Sequence, residues 1–199
     1  MNRLKDFGAF EWGDDLPRLT GPRLHFRSLR AADAPAILAT FGDPEVMRFW
    51  SSPPLRDLSE AEDLIARIRM MFESRDGFQW GICARDSDEV LGTCTLFRVE
   101  PAHRRAEVGY ALRRSAWGSG FGKEALDIVA AFAFDTLKLH RLEADVDPEN
   151  LRSLRLLEGR GFQREGMLRE RWHHLGEIRD AVFLGLLRRD WTGAPERAV

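Results

Sequence analysis

The sequence is most informative over the stretch Glu107-Val-Gly-Tyr-Ala-Leu-Arg-Arg-Ser-Ala-Trp-Gly-Ser-Gly-Phe-Gly-Lys-Glu-Ala-Leu126. Its first part is apolar and aromatic and predicts a strand, which runs into a basic, glycine-rich turn over 118–122. A helix should follow to about Leu137, because apolar residues recur there on one helical face. Glycines before a helix expose backbone N–H groups that favour an anion, so the stretch predicts a phosphate site. The alternative is a helix-starting turn with solvated charges.

Two common phosphate-binding motifs do not fit this turn. A Walker A loop aligned on Gly122 and Lys123 puts Trp117 at its first glycine and Glu124 at its magnesium-binding hydroxyl. A dinucleotide fingerprint that begins at Gly118 has Lys123 at its third glycine. We therefore expect a phosphate site of another kind.

Hydrophobic periodicity in the rest of the chain predicts a mixed α/β sheet covered by helices. Asp33 and the capping box that begins at Ser59 are the expected N-caps of two early helices. Two connections of strand, helix and strand in the second half should make part of the sheet parallel. Strands are expected at 24–29, 78–85, 90–99, 105–112, 141–146, 162–168 and 181–188, and the other helices at 34–41, 59–73 and 150–160.

Length and composition indicate one ordinary globular domain. The chain has 199 residues and a net charge of −2, so no bulk attraction for nucleic acid is expected. We place the domain at 20–191, between an arm over 1–19 and a tail over 192–199. The arm carries Phe7, Phe10 and Trp12, which should pack on the body or on a partner such as a second copy, unless the arm is disordered.

Membranes, disulfides and metals are not expected. No stretch without Asp, Glu, Lys or Arg exceeds nine residues, which argues against a membrane-spanning helix or signal peptide and predicts a cytoplasmic protein. A hairpin would set Cys83 opposite Gly92 and leave Cys94 on a diagonal, so the two cysteines are expected to be small core residues. The five histidines lack metal-ligand spacing.

Several spaced motifs resemble the GNAT superfamily of acyl-CoA-dependent N-acetyltransferases, in the branch of the ribosomal-protein enzymes RimJ and RimL. The motifs are Thr20-Gly-Pro-Arg-Leu-His-Phe-Arg-Ser-Leu29, Asp43-Pro-Glu-Val-Met47, Trp117-Gly-Ser-Gly-Phe-Gly122 and Asn150-Leu-Arg-Ser-Leu-Arg-Leu-Leu-Glu-Gly-Arg-Gly-Phe162. The resemblance implies a GNAT fold with about seven strands and about four helices, splayed between the fourth and fifth strands. It also implies acetyl transfer from acetyl-CoA to a primary amine, either a protein N-terminal α-amine or a small amine.

The same resemblance implies which residues bind the cofactor. Its pyrophosphate loop maps to 117–122, where Trp117 replaces the family's Arg or Gln and leaves that side chain's role open. Asn150 would hydrogen-bond the pantetheine, although it also suits a helix N-terminus. The full cofactor set is Leu112, Arg113, Trp117, Gly118, Ser119, Gly120, Phe121, Gly122, Lys123, Asn150 and Ser153.

Catalytic residues follow from the resemblance too. Glu107 would draw the amine proton through water, unless it is a solvated glutamate paired with Arg105. Backbone groups near Leu112, at a bulge that splays the strand, would polarise the thioester carbonyl. Ser153 could contact or protonate the sulfur, because the only tyrosine, Tyr110, lies on the strand and not on the later helix.

The acceptor side has three candidates. Glu170 is a second possible base or amine anchor, or a surface carboxylate. Trp50 and Ser51 lie where the family shapes its acceptor pocket, although a loop tryptophan also packs structurally.

Two other functions stay open at this point. One is an acyl-CoA-binding module without turnover, and the other is a different nucleotide-binding enzyme. Charge distribution favours a small phosphate ligand in each case, since residues 98–123 hold six basic and two acidic side chains.

Overall fold

The computed structural model describes residues 10–174 and 176–193, and it has an α/β fold built on one open mixed sheet. Eight strands form the sheet, one more than predicted, because Leu19–Thr20 adds a two-residue strand that no sequence pattern marks. The strands are β1 Leu19–Thr20, β2 Leu24–Arg27, β3 Phe78–Ala84, β4 Val90–Glu100, β5 Arg105–Leu112, β6 Arg141–Val146, β7 Gln163–His174 and β8 Glu177–Leu187. The helices are α1 Ala34–Phe41, α2 Pro44–Met47, α3 Leu58–Glu73, α4 Phe121–Ala131, which continues as a π-helical turn over Phe132–Thr136, and α5 Leu151–Glu158.

The sheet opens between two of its central strands. The strand order is β1-β2-β3-β4-β5-β6-β8-β7, and every described pairing is antiparallel except the one between β5 and β6. That parallel pairing covers only three residues, from Arg105 opposite Arg141 to Glu107 opposite Glu143. Beyond Glu107 the two strands diverge. Strands β5 and β6 are the fourth and fifth of the predicted strands, since β1 was not predicted, so the predicted splay is confirmed.

Two apolar clusters hold the layers together. The larger packs α4 and α5 against one face of the sheet and contains Trp80, Phe78 and Cys94. The smaller packs α1 and α3 against the other face and contains Cys83. Both thiols are buried and free, as small core residues should be. Because the two cysteines lie on opposite faces, they cannot form a disulfide.

The described part of the N-terminal arm packs on the body. Trp12 stacks on Phe78 with a 4.7 Å centroid distance, and Phe10 meets Phe132 edge-on. These aromatics are therefore used within the chain, while Phe7 lies outside the described residues. Strand β1 crosses the predicted boundary at residue 20, and residues 194–199 of the predicted tail are also outside the described ranges. Within those ranges no helix is both long and apolar enough to cross a membrane.

The helix caps agree only in part with the predictions. Asp33 is the N-cap residue of α1, as predicted, but its side chain bonds the Arg27 guanidinium and not the helix, and a short 3-10 turn leads into α1. Helix α3 is capped by Asp57, whose carboxylate accepts from the Glu60 N–H, and not by a box beginning at Ser59.

The hairpins also differ from the predictions. Cys83 faces Val90 and not Gly92, because the register of β3 against β4 shifts after Ile82. The final hairpin is longer than predicted, because β7 continues to His174 and β8 begins at Glu177.

Candidate active site

A cavity of about 730 Å³ lies where β5 and β6 separate. Glu107 and Tyr110 of β5, Asp145 of β6 and Asn150 and Ser153 at the start of α5 all line it. Its volume is in the range typical of small-molecule sites. From residue 108 onward, the β5 edge that faces the gap has no strand partner, which leaves backbone groups for a ligand.

Tyr110 and Ser153 form a pair inside this cavity. The two hydroxyl oxygens are 2.8 Å apart, and the Ser153 N–H donates to the Asn150 side chain at 3.1 Å. Asn150 thus caps α5, as its position predicted, and fixes the turn that carries Ser153. Burial raises the pKa of Tyr110 well above its usual value, so its hydroxyl is protonated at neutral pH. The sequence did not reveal this pair, because its members are 43 residues apart.

Glu107 is buried and ion-paired. Arg98 Nη1 donates to its two carboxylate oxygens at 2.9 and 3.0 Å, so the alternative pairing with Arg105 is wrong. Arg105 instead bonds Glu100 and Glu143. Arg98 reaches Glu107 because it adopts a left-handed conformation, with φ of 46°, at a bulge of β4.

That bulge corrects the prediction for Leu112. Strand β5 keeps a regular register with β4 from Glu107 to Leu112, so the irregularity lies in β4 next to Glu107 and not near Leu112. Leu112 does not line the cavity, and its carbonyl oxygen accepts a hydrogen bond from the Trp117 indole at 2.7 Å.

The glycine-rich loop has the geometry of an anion cradle. Gly118 and Gly120 both adopt φ of 78°, which side chains other than glycine rarely tolerate. In the described chain, no group accepts a hydrogen bond from the backbone N–H of Gly118, Ser119 or Gly120. The loop then opens into α4, whose first N–H groups lack intrahelical partners. Gly122 is needed for packing, since a Cβ there would lie 2.8 Å from Leu156 of α5.

Trp117 positions a cation that sequence reasoning missed. Its ring lies 4.0 Å from the Arg152 guanidinium carbon, a cation–π distance. Arg152 is exposed and sits one turn before Leu156 on the α5 face that meets the loop. The sequence did contain a signal for this contact, because the motif has an aromatic residue at 117 in place of Arg or Gln.

Most of the basic residues near the loop are already paired. Arg113 bonds Glu89 at 2.5 Å, and Arg114 lies 3.4 Å from Asp43. Lys123 is exposed and has no ion-pair partner among the residues that the structure describes. Of the predicted side-chain cations, Lys123 is thus the one available to a phosphate.

The acceptor candidates divide into two groups. Trp50 and Ser51 line the cavity, and Trp50 also packs edge-on against Phe41 at 5.6 Å. Glu170 does not line it. That residue is exposed on a bulge of β7 with φ of 53°, and its N–H donates to Asp180.

One group of potential metal ligands lies away from the cavity. Ligand atoms of His25, Cys83 and Asp88 are within 4.8 Å of one another, although sequence spacing showed no such set. They meet because His25 and Cys83 are paired across β2 and β3. Arg27 already bonds Asp88, and burial raises the pKa of Cys83 to about 11. A neighbouring guanidinium and a protonated thiol both disfavour the binding of a metal cation at this group.

Comparison with known proteins gives consistent results. Residues 23–163 match the model of a family described as an acetyltransferase (GNAT) domain. The chain is 36% identical over 171 residues to the uncharacterised N-acetyltransferase p20 of Bacillus licheniformis, covering 86% of this chain and 96% of that protein. It is 27% identical over 182 residues to the ribosomal protein uS5 alanine N-acetyltransferase of Escherichia coli, covering 88% and 93%.

A solved structure supports the fold. The chain superimposes with a TM-score of 0.74 on spermidine N-acetyltransferase from Vibrio cholerae in complex with CoA and spermine. The alignment covers 84% of this chain and 97% of that one at 23% identity, a level that establishes shared fold alone.

Proposed function

Because the chain belongs to the GNAT family of acyl-CoA-dependent N-acetyltransferases, we propose that it acetylates a primary amine bound between β5 and β6. The observation that carries this proposal is the opening of the sheet between β5 and β6, where the Glu107 carboxylate and the Tyr110 and Ser153 hydroxyls line one cavity. The amine nitrogen attacks the thioester carbonyl carbon, an N–C bond forms and the C–S bond breaks. The amine loses one proton and the departing thiolate gains one.

Enzymes of this family use acetyl-CoA, which supplies the thioester. The residues present fit that group, since the loop offers backbone N–H groups over 118–122 where glycines leave room for phosphate. We assign Lys123 and Arg152 as the cations of this cradle. The unpaired edge of β5 would hold the pantetheine arm and polarise the thioester carbonyl, together with the Asn150 amide.

Glu107 would take the proton of the amine through a water molecule. Two hydrogen bonds from Arg98 Nη1 hold its carboxylate in a fixed orientation.

Ser153 would protonate the departing sulfur. Its hydroxyl lies at the first turn of α5, where the Tyr110 hydroxyl can in turn supply a proton to it. Two protonated hydroxyls in series replace the tyrosine that the later helix lacks.

The acceptor is a protein N-terminal α-amine or a small amine. The Escherichia coli relative acts on an alanine of a ribosomal protein, which supports the first class. Trp50 and Ser51, at the outer wall of the cavity, would contact the acceptor.

A thiol-release assay across a panel of amines, with the product mass measured, tests this function. Acetyl-CoA should stabilise the purified protein against heat, and at least one amine class should release CoA thiol. Glu107→Gln should lower kcat/KM at least tenfold, whereas Glu73→Gln, an exposed glutamate of α3, should not. Stabilisation by acetyl-CoA without thiol release from any amine would leave only a binding module.

A further inference from the structure

We propose that the cavity selects a primary amine with an apolar substituent and no second positive charge, and that its arginines exclude polyamines. This inference rests on the proposed function and narrows its substrate class. It depends on how the carboxylates of the cavity are paired, which the sequence does not show.

Each of the four carboxylates that line the cavity has an arginine partner. Glu107 is held by Arg98, as described above. Asp145 accepts from Arg171 Nε at 2.8 Å and from the Trp172 indole at 3.0 Å. Asp147 and Glu177 share Arg179, which bonds the first through Nη1 and the second through Nε, each at 3.0 Å.

These pairs remove the sites that a polyamine needs. A second ammonium group would have to leave water, and a guanidinium already bonds each carboxylate in the described cavity. Arg48, another lining residue, lies 3.8 Å from the exposed Glu149 and is therefore ion-paired as well.

The walls between the ion pairs are mostly apolar and aromatic. The aromatic residues that line the cavity include Phe49, Trp50, Phe97 and Trp172. Trp50 is fixed against Phe41 and Trp172 is fixed by Asp145, so both rings are rigid surfaces for an apolar substituent.

An apolar cavity whose carboxylates are all bonded to arginines also favours the reactive form of the substrate. An amine that leaves water in such a cavity loses its proton more easily, and only the neutral nitrogen attacks the thioester. This easier loss of a proton helps only the nitrogen that reacts. A diamine would still bring the positive charge of its second ammonium group into the same apolar cavity.

Arg179 offers a direct test, because it bonds two of the four carboxylates. Pentylamine and 1,5-diaminopentane differ only in the second amine, so their kcat/KM ratio isolates its effect. We expect the wild type to favour pentylamine at least tenfold and Arg179→Met to shift the ratio at least tenfold towards the diamine. An amidated peptide with a free N-terminal alanine, assayed in parallel, distinguishes polypeptide from small-molecule acceptors.

Arg69→Met is the matched control, since it removes a guanidinium from an ion pair on the exposed face of α3. Arg171→Met, which frees Asp145, should shift the ratio in the same direction and serves if Arg179→Met fails to fold. An unchanged ratio in a folded variant, or a wild type that prefers the diamine, overturns the inference while leaving acetyl transfer in place. Absence of thiol release with every amine would instead overturn the proposed function and the inference together.

Discussion

Replacing Tyr110 by Phe tests whether its hydroxyl takes part in proton transfer or only in packing. The change removes one oxygen that lies 2.8 Å from Ser153 and keeps the aromatic ring in the cavity wall. A hydrogen bond between two neutral groups is worth about 1 kcal/mol of folding free energy. A role limited to positioning would therefore lower kcat by roughly fivefold at most, since about 1.4 kcal/mol corresponds to tenfold.

Proton transfer predicts a much larger effect. General acid catalysis contributes about 10²- to 10⁴-fold, so we expect kcat of Tyr110→Phe to fall by about 100-fold with little change in KM. Ser153→Ala should cost a similar factor, and the double variant should cost no more than the worse single variant, because both hydroxyls serve one proton path.

Thiol release under saturating acetyl-CoA measures this effect, with urea unfolding in parallel. Thr40→Val is the control, because it deletes a buried hydroxyl that donates to the Ala36 carbonyl at 2.9 Å, away from the cavity. Both variants should lose about 1 kcal/mol of stability, but only Tyr110→Phe should lose activity. A kcat within fivefold of wild type for Tyr110→Phe would refute the proton path.

Three further outcomes follow from the charges and burial described. Arg152→Met should raise the KM for acetyl-CoA about tenfold and weaken thermal stabilisation by CoA, whereas Arg69→Met, on the exposed face of α3, should not. Burial raises the pKa of Cys83 to about 11 and that of Cys94 to about 12, so at pH 8 a thiol reagent should label them only after unfolding. Hydrogen bonds from an arginine and a histidine lower the pKa of Asp88 to about 2 from 3.8. The carboxylate therefore stabilises the fold above pH 4, and the Tm difference between wild type and Asp88→Asn should shrink as the pH falls towards 2.

Local sequence patterns were sufficient to predict most of the helices and strands and the position of the glycine-rich loop. Helix α1 has the predicted bounds, because its apolar periodicity is uninterrupted between a turn and a glycine. The ends of β7 could not be predicted, since its outer half is polar and is held as a strand by pairing with β8. Trp172 and Arg179 therefore enter the cavity wall from a hairpin that the sequence pattern assigned largely to loop.

Site residues could be predicted where they belong to one sequence motif. Contacts between residues that are distant in the sequence could not. Asn150, Ser153 and Glu107 do line one cavity, because the strand and helix that carry them flank the splay. The bond from Tyr110 to Ser153 depends on how β5 faces α5, and the pairing of Glu107 depends on a bulge at Arg98. Neither relation has a signal within a short window of sequence.

Charge illustrates the same limit and changes the assignment of the phosphate contacts. The surplus of basic residues between 98 and 123 predicted that this segment provides the positive charges of the cofactor site. In the structure, carboxylates from outside the loop already form ion pairs with Arg113 and Arg114. A charge that is paired in the folded chain attracts a phosphate far less than an unpaired one. The cations that we propose for the cradle are therefore Lys123 and Arg152 of the later helix α5, whose guanidinium lies over the Trp117 ring. In this proposal Trp117, which replaces the family's Arg or Gln, carries no charge itself but holds the charged side chain of Arg152 beside the loop.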